Sequence, residues 1–444
     1  MNAGLTPLTT STEARIDEIG STDILVGIPS FNNADTVGHV VRAVSVGLAK
    51  HFPGCRAVLV NSDGGSSDGT PAIVARTAVD FQHLFIGDQQ SLLHRIVTPY
   101  HGIPGKGSAF RTIFEIARRL KAKACAVVDA DLRSISPEWI ELLLRPVMEE
   151  GYDYVAPYYL RHKYDGTITN SLAYPLTRAL YGQRIRQPIG GEFGFSGALA
   201  SHYLEQHVWE SEVARFGIDI WMTTEALVSG AQVCQSFLGA KIHNPKDPAA
   251  DLSGMLMQMV GALFAAMEQH EHSWATVNGS RPVPIFGFPY EVGVEPVHVN
   301  LERMVAHYRQ GLTDLGPIWR QILAQDTFDQ LHRLQEAPNS DNRISDELWV
   351  RIVYDAAAAY HKRLLPRDHL LKSLTPLYLG RTASFVHATQ GLTSREAEVK
   401  IEALCDTFER LKPYLIQLWK PATASPAAPA LWQQTTTDAR GDHE

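Results

Sequence analysis

VVDADLRSISPEWI, residues 127–140, ends an apolar run on two carboxylates one residue apart, Asp129 and Asp131. Like charges this close disfavour each other's ionisation unless a cation or a proton compensates. On an extended strand, residues i and i+2 point to the same side, so both carboxylates aim at one spot. That spot is either a metal site or a solvated turn. Ser136 followed by Pro137 then reads as the N-cap and first residue of a helix. The stretch is therefore a strand, a charged turn and a helix start in immediate succession.

The same succession recurs upstream. DILVGIP leads through SFNNADT into VGHVVRAVSVGLAKHF, and RAVLVN leads through SDGGSSDGT into a second helical pattern. YVAPYY is a further strand signal. Alternation of this kind predicts an α/β unit with a mainly parallel sheet. LWVRIVYDAAAAYHKRLL and REAEVKIEALCDTFERLKPYLIQLW carry 3.6-residue periodicity instead, so the later chain reads as helical. The expected organisation is a mobile lead-in over 1–20, the α/β unit over 21–270, a mostly helical C-terminal region over 271–420 and a disordered Pro/Ala/Thr-rich tail over 421–444.

Composition narrows the function. With 45% hydrophobic and 20% charged residues among 444, the chain is an ordinary globular one with room for a large core. A net charge of −8 provides no basic field for nucleic acid or an anionic membrane. Four cysteines without CxxC spacing suggest reduced thiols in a cytoplasmic protein. LSGMLMQMVGALFAAMEQH is interrupted by Gln258 and reads as a buried helix, so no stable membrane insertion is expected.

In an open parallel sheet, ligands bind outside the carboxyl ends of the strands. SFNNADT, SDGGSSDGT and DLRS all fall there. Each alone is ordinary turn and cap chemistry; together and in order they mark one edge of the sheet.

PSFNNADTV, VNSDGGSSDGT, PGKGSAF and VVDADLR, in that order, resemble the nucleotide-sugar half of GT-A fold glycosyltransferases. RQPIGGEFGFSGAL, RFGIDIWMTTEAL and GAKIHNPKDP extend the likeness to the retaining enzymes that make glycosylglycerates. The resemblance covers residues 23 to 270 by motif. It implies a GT-A, Rossmann-like catalytic domain followed by the helical region. It also implies Mg²⁺ or Mn²⁺ held by Asp131 and His243, with Asp129 at the ribose or the metal's waters.

By the same resemblance, Pro29, Ser30, Phe31 and Asn33 frame the base and ribose. Asp63 and Gly64 reach the base edge, and Ala130 lies beside the sugar nucleotide. Lys106, between two glycines that let the backbone approach a ligand, meets a phosphate or base oxygen. Gly190, Gly191 and Glu192 form a sugar-binding turn. Asp219 positions the hexose near the reacting centre. Glu192 and Asp219 are thus the catalytic candidates.

In the stretch LRHKYDGTITNSLAYPL, Thr169 matches an acceptor-contacting residue. Thr167 stands where phosphoglycerate-using relatives carry an arginine, and a threonine cannot replace that charge. Arg161 and, further on, Lys246 are additional acceptor contacts.

The expected activity is metal-dependent, retaining transfer of glucose or mannose from a nucleoside-diphosphate sugar to D-glycerate, giving an α-glycosylglycerate compatible solute. The alternatives are 3-phosphoglycerate as acceptor, or an inverting family-2-like transferase with another acceptor. A non-catalytic sugar-nucleotide sensor is the rival from outside the enzymes. A homo-oligomer is expected.

Overall fold

The computed structural model describes residues 8–77, 93–242, 253–290, 293–294, 296–336 and 343–420. The apolar runs become strands β1 (Ile24–Ser30), β2 (Ala57–Asp63), β3 (Leu93–Pro99), β4 (Ala124–Val127) and β5 (Tyr154–Leu160). Two-residue β6 (Gln183–Arg184), then β7 (Phe193–Ser196) and β8 (Val233–Ala240), follow. Short β9 (Arg281–Pro282) and β10 (Ile285–Phe286) complete the set. Eight of them form one sheet in the order β10-β8-β5-β7-β4-β1-β2-β3, while β6 and β9 pair separately. All pairings in the large sheet are parallel except those of β7, which runs antiparallel to β4 and β5.

The sheet is buried on both faces, as uninterrupted apolar strands require. Successive residues of β1 point to opposite sides: Leu25 joins one core, and Ile24, Val26 and Ile28 the other. Each such buried side chain contributes on the order of 1.5–3 kcal/mol. The helices supplying the two covering layers are α1 (Thr10–Ile19), α2 (Ala34–His51), α3 (Thr70–Thr77), α4 (Lys106–Arg119), α5 (Pro137–Glu149), α7 (Gly197–Glu205) and α8 (Ile218–Val228), while α6 (Tyr174–Tyr181) packs on the later helices. A π-helical turn, Thr169–Ala173, opens α6, and a 3₁₀ turn, Glu212–Ala214, precedes α8.

Helices α9 (Ser253–Gln269), α10 (Glu271–Trp274), α11 (Leu301–Asp314), α12 (Gly316–Ile322), α13 (Gln325–Glu336), α14 (Asp346–His361), α15 (Arg367–Thr389) and α16 (Ser394–Trp419) build the remainder. Helix α16 starts on a capping box, Thr393 with Glu396, which satisfies two otherwise orphaned backbone donors. A third core joins this bundle to the α/β unit: Leu172, Leu176 and Leu180 pack in one cluster with Trp349, Tyr354 and Phe408.

One expectation changes. The lead-in is not uniformly mobile: α1 buries Ile16 in a core of the sheet, and Thr12 Oγ1 donates to Thr98 Oγ1 at 2.9 Å. A polar stretch can dock through so few side chains that its periodicity is faint. The region after 270 is mostly helical, as expected, and β10 returns from it to the edge of the large sheet beside β8. Two residues are too short a run to register as a strand. The expected tail, 421–444, lies outside the described residues.

Candidate active site

The order of the large sheet reverses at β1, with β2 and β3 on one side and β4 on the other. Such a switch point opens a crevice at the carboxyl edge. A cavity of about 630 Å³ lies there, within the range of small-molecule sites. Its wall includes Pro29, Ser30, Phe31 and Asn33 after β1, Gly64 after β2, and Asp129, Ala130 and Asp131 after β4. Lys106, Gly190, Gly191 and Asp219 join them, as do Arg161, Thr167 and Thr169 from the segment after β5. The structure thus gathers most of the residues singled out in the sequence around one space.

The loops after β1 and β2 hold each other. Asp63 is buried and accepts from Ser30 Oγ at 2.7 Å, Ser66 Oγ at 2.7 Å, and the Gly65 and Ser66 amides at 2.9 and 2.7 Å. Asn32, in the left-handed region at φ 54°, accepts from the Ser67 amide at 3.0 Å. Asn33 Oδ1 accepts from the Phe31 amide at 2.8 Å. Asp63, expected at a base edge, carries these loop hydrogen bonds. Phe31, 62% exposed, stands at the rim.

A charge network crosses the cavity floor. Lys106 Nζ lies 2.8 Å from Asp129 Oδ1, and 3.1 and 3.3 Å from the two Asp219 oxygens. Lys241 Nζ lies 3.1 Å from Asp129 Oδ2 and donates to both Glu192 oxygens at 2.8 and 2.9 Å, and to the Gly190 carbonyl at 2.8 Å. Glu192 is fully buried and also accepts from the Tyr159 hydroxyl. Gly191 has φ 92°, and a Cβ there would sit 2.3 Å from Asp129 Oδ2. Only glycine allows this turn to close over the network.

Burial pushes the Glu192 carboxyl up to about 7, against the pull of Lys241. Burial likewise raises Asp219, with Lys106 opposing. At Asp129 burial is outweighed by Lys106 and Lys241, which hold the carboxyl well below the usual carboxylate range. Burial disfavours the charged form of both lysines, but the carboxylates outweigh it and keep their values high. With all groups ionised, three carboxylates face two ammonium groups, and Asp131 adds a further negative charge at the cavity wall.

Both oxygens of Asp129 are engaged by lysines. Asp131 lines the cavity beside Asp129 and, unlike it, carries no ion pair among the described residues. Lys106 is turned to Asp129 and Asp219 as well as to the cavity. Its neighbour Gly107 is explained by packing, because a Cβ there would lie 2.0 Å from the Val213 carbonyl. Glu192 sits behind the wall, holding Lys241. The Thr167 hydroxyl is paired with the Tyr378 hydroxyl at 2.5 Å. His243 and Lys246 lie outside the described residues.

Lys241 was missed in the sequence. Its signal was present, since it directly follows β8 at the carboxyl edge where ligand-facing residues concentrate. Tyr100, which also lines the cavity, directly follows β3 and carried the same strand-end signal, whereas Phe216 belongs to a connection without a strand-end position.

Known proteins can now be set beside this site. Residues 25–202 match the model of glycosyl transferase family 2. No curated protein matches the chain by sequence. Solved structures with a similar course include glucosyl-3-phosphoglycerate synthase from Mycobacterium tuberculosis. Its complex with Mn²⁺, uridine diphosphate and glucosyl-3-phosphoglycerate is 21% identical at a TM-score of 0.41, over 56% of this chain and 83% of that one. Its complex with Mg²⁺ and uridine diphosphate is 20% identical at the same TM-score and coverages. The chain is a glycosyltransferase with a GT-A fold catalytic domain. Among the described residues, no helix is long and apolar enough to cross a membrane.

Proposed function

We propose that the chain moves a hexose, glucose or mannose, from a nucleoside-diphosphate sugar to the hydroxyl of D-glycerate with retention at the anomeric carbon. One observation carries this reading: the donor loops after β1, β2 and β4 and the segment 161–169 line a single cavity. Donor and acceptor can therefore meet without a large rearrangement, which is the positional condition for transfer.

The residues present fit a divalent cation. The site has excess negative charge, and Asp131 offers a hard oxygen at the cavity wall. Asp131 would hold Mg²⁺ or Mn²⁺, with His243 as the second protein ligand. When bound, the cation supplies Lewis-acid stabilisation of the leaving diphosphate. Asp219, fixed by Lys106, orients hexose hydroxyls. Glu192 acts through Lys241 and the Gly190 carbonyl to set the turn under the sugar. Pro29 and Phe31 border the base.

A second acceptor, 3-phosphoglycerate, is favoured by one feature. Arg161 lines the cavity; among the described residues its Nε has no hydrogen-bond partner and its nearest carboxylate contact is Asp165 at 3.8 Å. Such a guanidinium can read a carboxylate or a phosphate.

The test is a donor-by-acceptor matrix: uridine- and guanosine-diphosphate glucose and mannose, each with D-glycerate and with 3-phosphoglycerate, in Mg²⁺ or Mn²⁺. Mass spectrometry identifies the product and NMR its anomer. An α-glycosylglycerate is expected. A β-linked product would overturn retention and restore the inverting alternative named from the sequence. Nucleotide binding without product across the matrix would overturn the acceptor.

A further inference from the structure

We propose that helices α14, α15 and α16 shape the acceptor side of the cavity from behind, with Lys163 and Tyr378 as positioning residues for the acceptor. The proposal rests on the transferase reading above.

The segment 161–168 between β5 and the π-helical turn has no strand partner of its own. On one side it presents Arg161, Tyr164, Asp165, Thr167 and Ile168 to the cavity. On the other it is gripped by the helical region. Lys163 Nζ donates to the carbonyls of Thr389, Gln390 and Leu392 at 2.7, 3.2 and 2.6 Å, closing the C-terminal end of α15. A cation there meets both unsatisfied carbonyls and the negative end of the helix dipole. The Tyr164 hydroxyl reaches the Val386 carbonyl at 3.4 Å, and Thr167 pairs with Tyr378. Trp349 Nε1 donates to the Ser171 carbonyl at 2.7 Å. Arg186 bridges Asn170 Oδ1, at 2.8 Å, to the carboxylate of Glu398 at 2.6 and 2.9 Å.

The donor loops are held within the α/β unit instead: those after β1 and β2 bond to each other, and the one after β4 to the segment after β8, where the Ile242 amide donates to Ser134 Oγ at 2.9 Å. Loosening the ties to the helical region would spread the acceptor segment over more conformers. Apparent acceptor affinity then falls in proportion to the fraction left in the competent shape. Donor affinity has no reason to follow.

Lys412 provides an internal control. It grips three carbonyls by the same chemistry, those of Ala179, Leu180 and Val277 at 2.9, 3.3 and 2.8 Å, but at the far end of α6.

The experiment compares full-length wild type with Lys163→Met, Tyr378→Phe and Lys412→Met. The readouts are acceptor KM, donor KM, calorimetric binding of uridine diphosphate with Mn²⁺, and amide hydrogen exchange over 161–173. Lys163→Met should raise acceptor KM about tenfold, as if a tenth of the molecules stayed competent, and Tyr378→Phe about threefold by the same relation. Donor KM and nucleotide binding should hold, and exchange over 161–173 should quicken. Lys412→Met should leave acceptor KM in place. Acceptor and donor constants rising together, unchanged exchange over 161–173, or an equal effect from Lys412→Met would each overturn the proposal. If wild type transfers nothing in the matrix, the reading of the acceptor fails by itself, and hydrogen exchange still decides whether these helices hold the segment.

Discussion

The donor and acceptor sides of the cavity are built by different means. On the donor side, Asp63, Asn32 and Asn33 fold their own loops, with partners no more than about 35 residues apart along the chain. On the acceptor side, Lys163, Thr167 and Ser171 depend on partners some 180 to 230 residues away. The first arrangement makes a site that needs only its own sheet edge. The second makes a site whose shape is set by another layer of the molecule. Substitutions can therefore separate the two.

The largest effect should come from the donor side. Asp131→Ala removes the cavity-lining carboxylate that carries no ion pair among the described residues and should lower turnover by about 10³-fold, the scale of losing metal stabilisation of a leaving group. Circular dichroism should be unchanged, because no described residue depends on Asp131 for an ion pair. Full activity of the purified variant in chelator would remove the metal from the reading.

Lys106→Met should be costly in a different way. It leaves Asp129 and Asp219 facing each other with Lys241 as the remaining nearby ammonium. Removing one partner of a fully buried charge cluster destabilises by about 3–5 kcal/mol; this cluster is half-buried and open to the cavity, so a smaller loss is expected, read as a lowered urea midpoint. Retained stability would mean that the two carboxylates share a proton, which a shift of the midpoint with pH would reveal.

These two predictions concern the part of the molecule that the sequence already outlined. Strands β1, β2 and β4 were legible because they are uninterrupted apolar runs ending in Asn, Ser, Gly and Asp. Asp129, Asp131, Lys106 and Asp219 were legible through motif order. What each carboxylate does was not, because occupancy by Lys106 and Lys241 depends on side chains more than 20 and 110 residues from Asp129 meeting in space. The π-helical turn and Tyr378 were invisible for the same reason. The periodicity of α15 marks it as a helix but does not say that its tyrosine meets Thr167.

A smaller effect tests how the helical region is joined. Burial lowers Lys412 from 10.5 to about 8. Between those values the unfolded chain keeps a proton that the folded chain releases. This group's contribution to stability therefore rises with pH from about 8 to 10.5 and is lost as pH falls through about 8. Lys412→Met should lack that rise. The stability difference, wild type minus variant, should grow by up to about 3 kcal/mol across the window. A difference flat in pH would mean that Lys412 titrates as in water.

The finest test asks whether the acceptor side can be rewritten from within. Thr167 lines the cavity, yet its hydroxyl is bound to Tyr378. Thr167→Arg must therefore do two things at once: bring a guanidinium beside Arg161 and release Tyr378. The first favours a phosphate through a charge-assisted pair, worth about tenfold in the ratio of 3-phosphoglycerate to D-glycerate use. The second weakens both acceptors alike. Placing the same substitution in a Tyr378→Phe background separates them, since the tie is already lost there and only the ratio should move. A ratio that stays fixed in both backgrounds would show that position 167 does not face the acceptor, and the acceptor side would have to be carried by Arg161 and Thr169 instead.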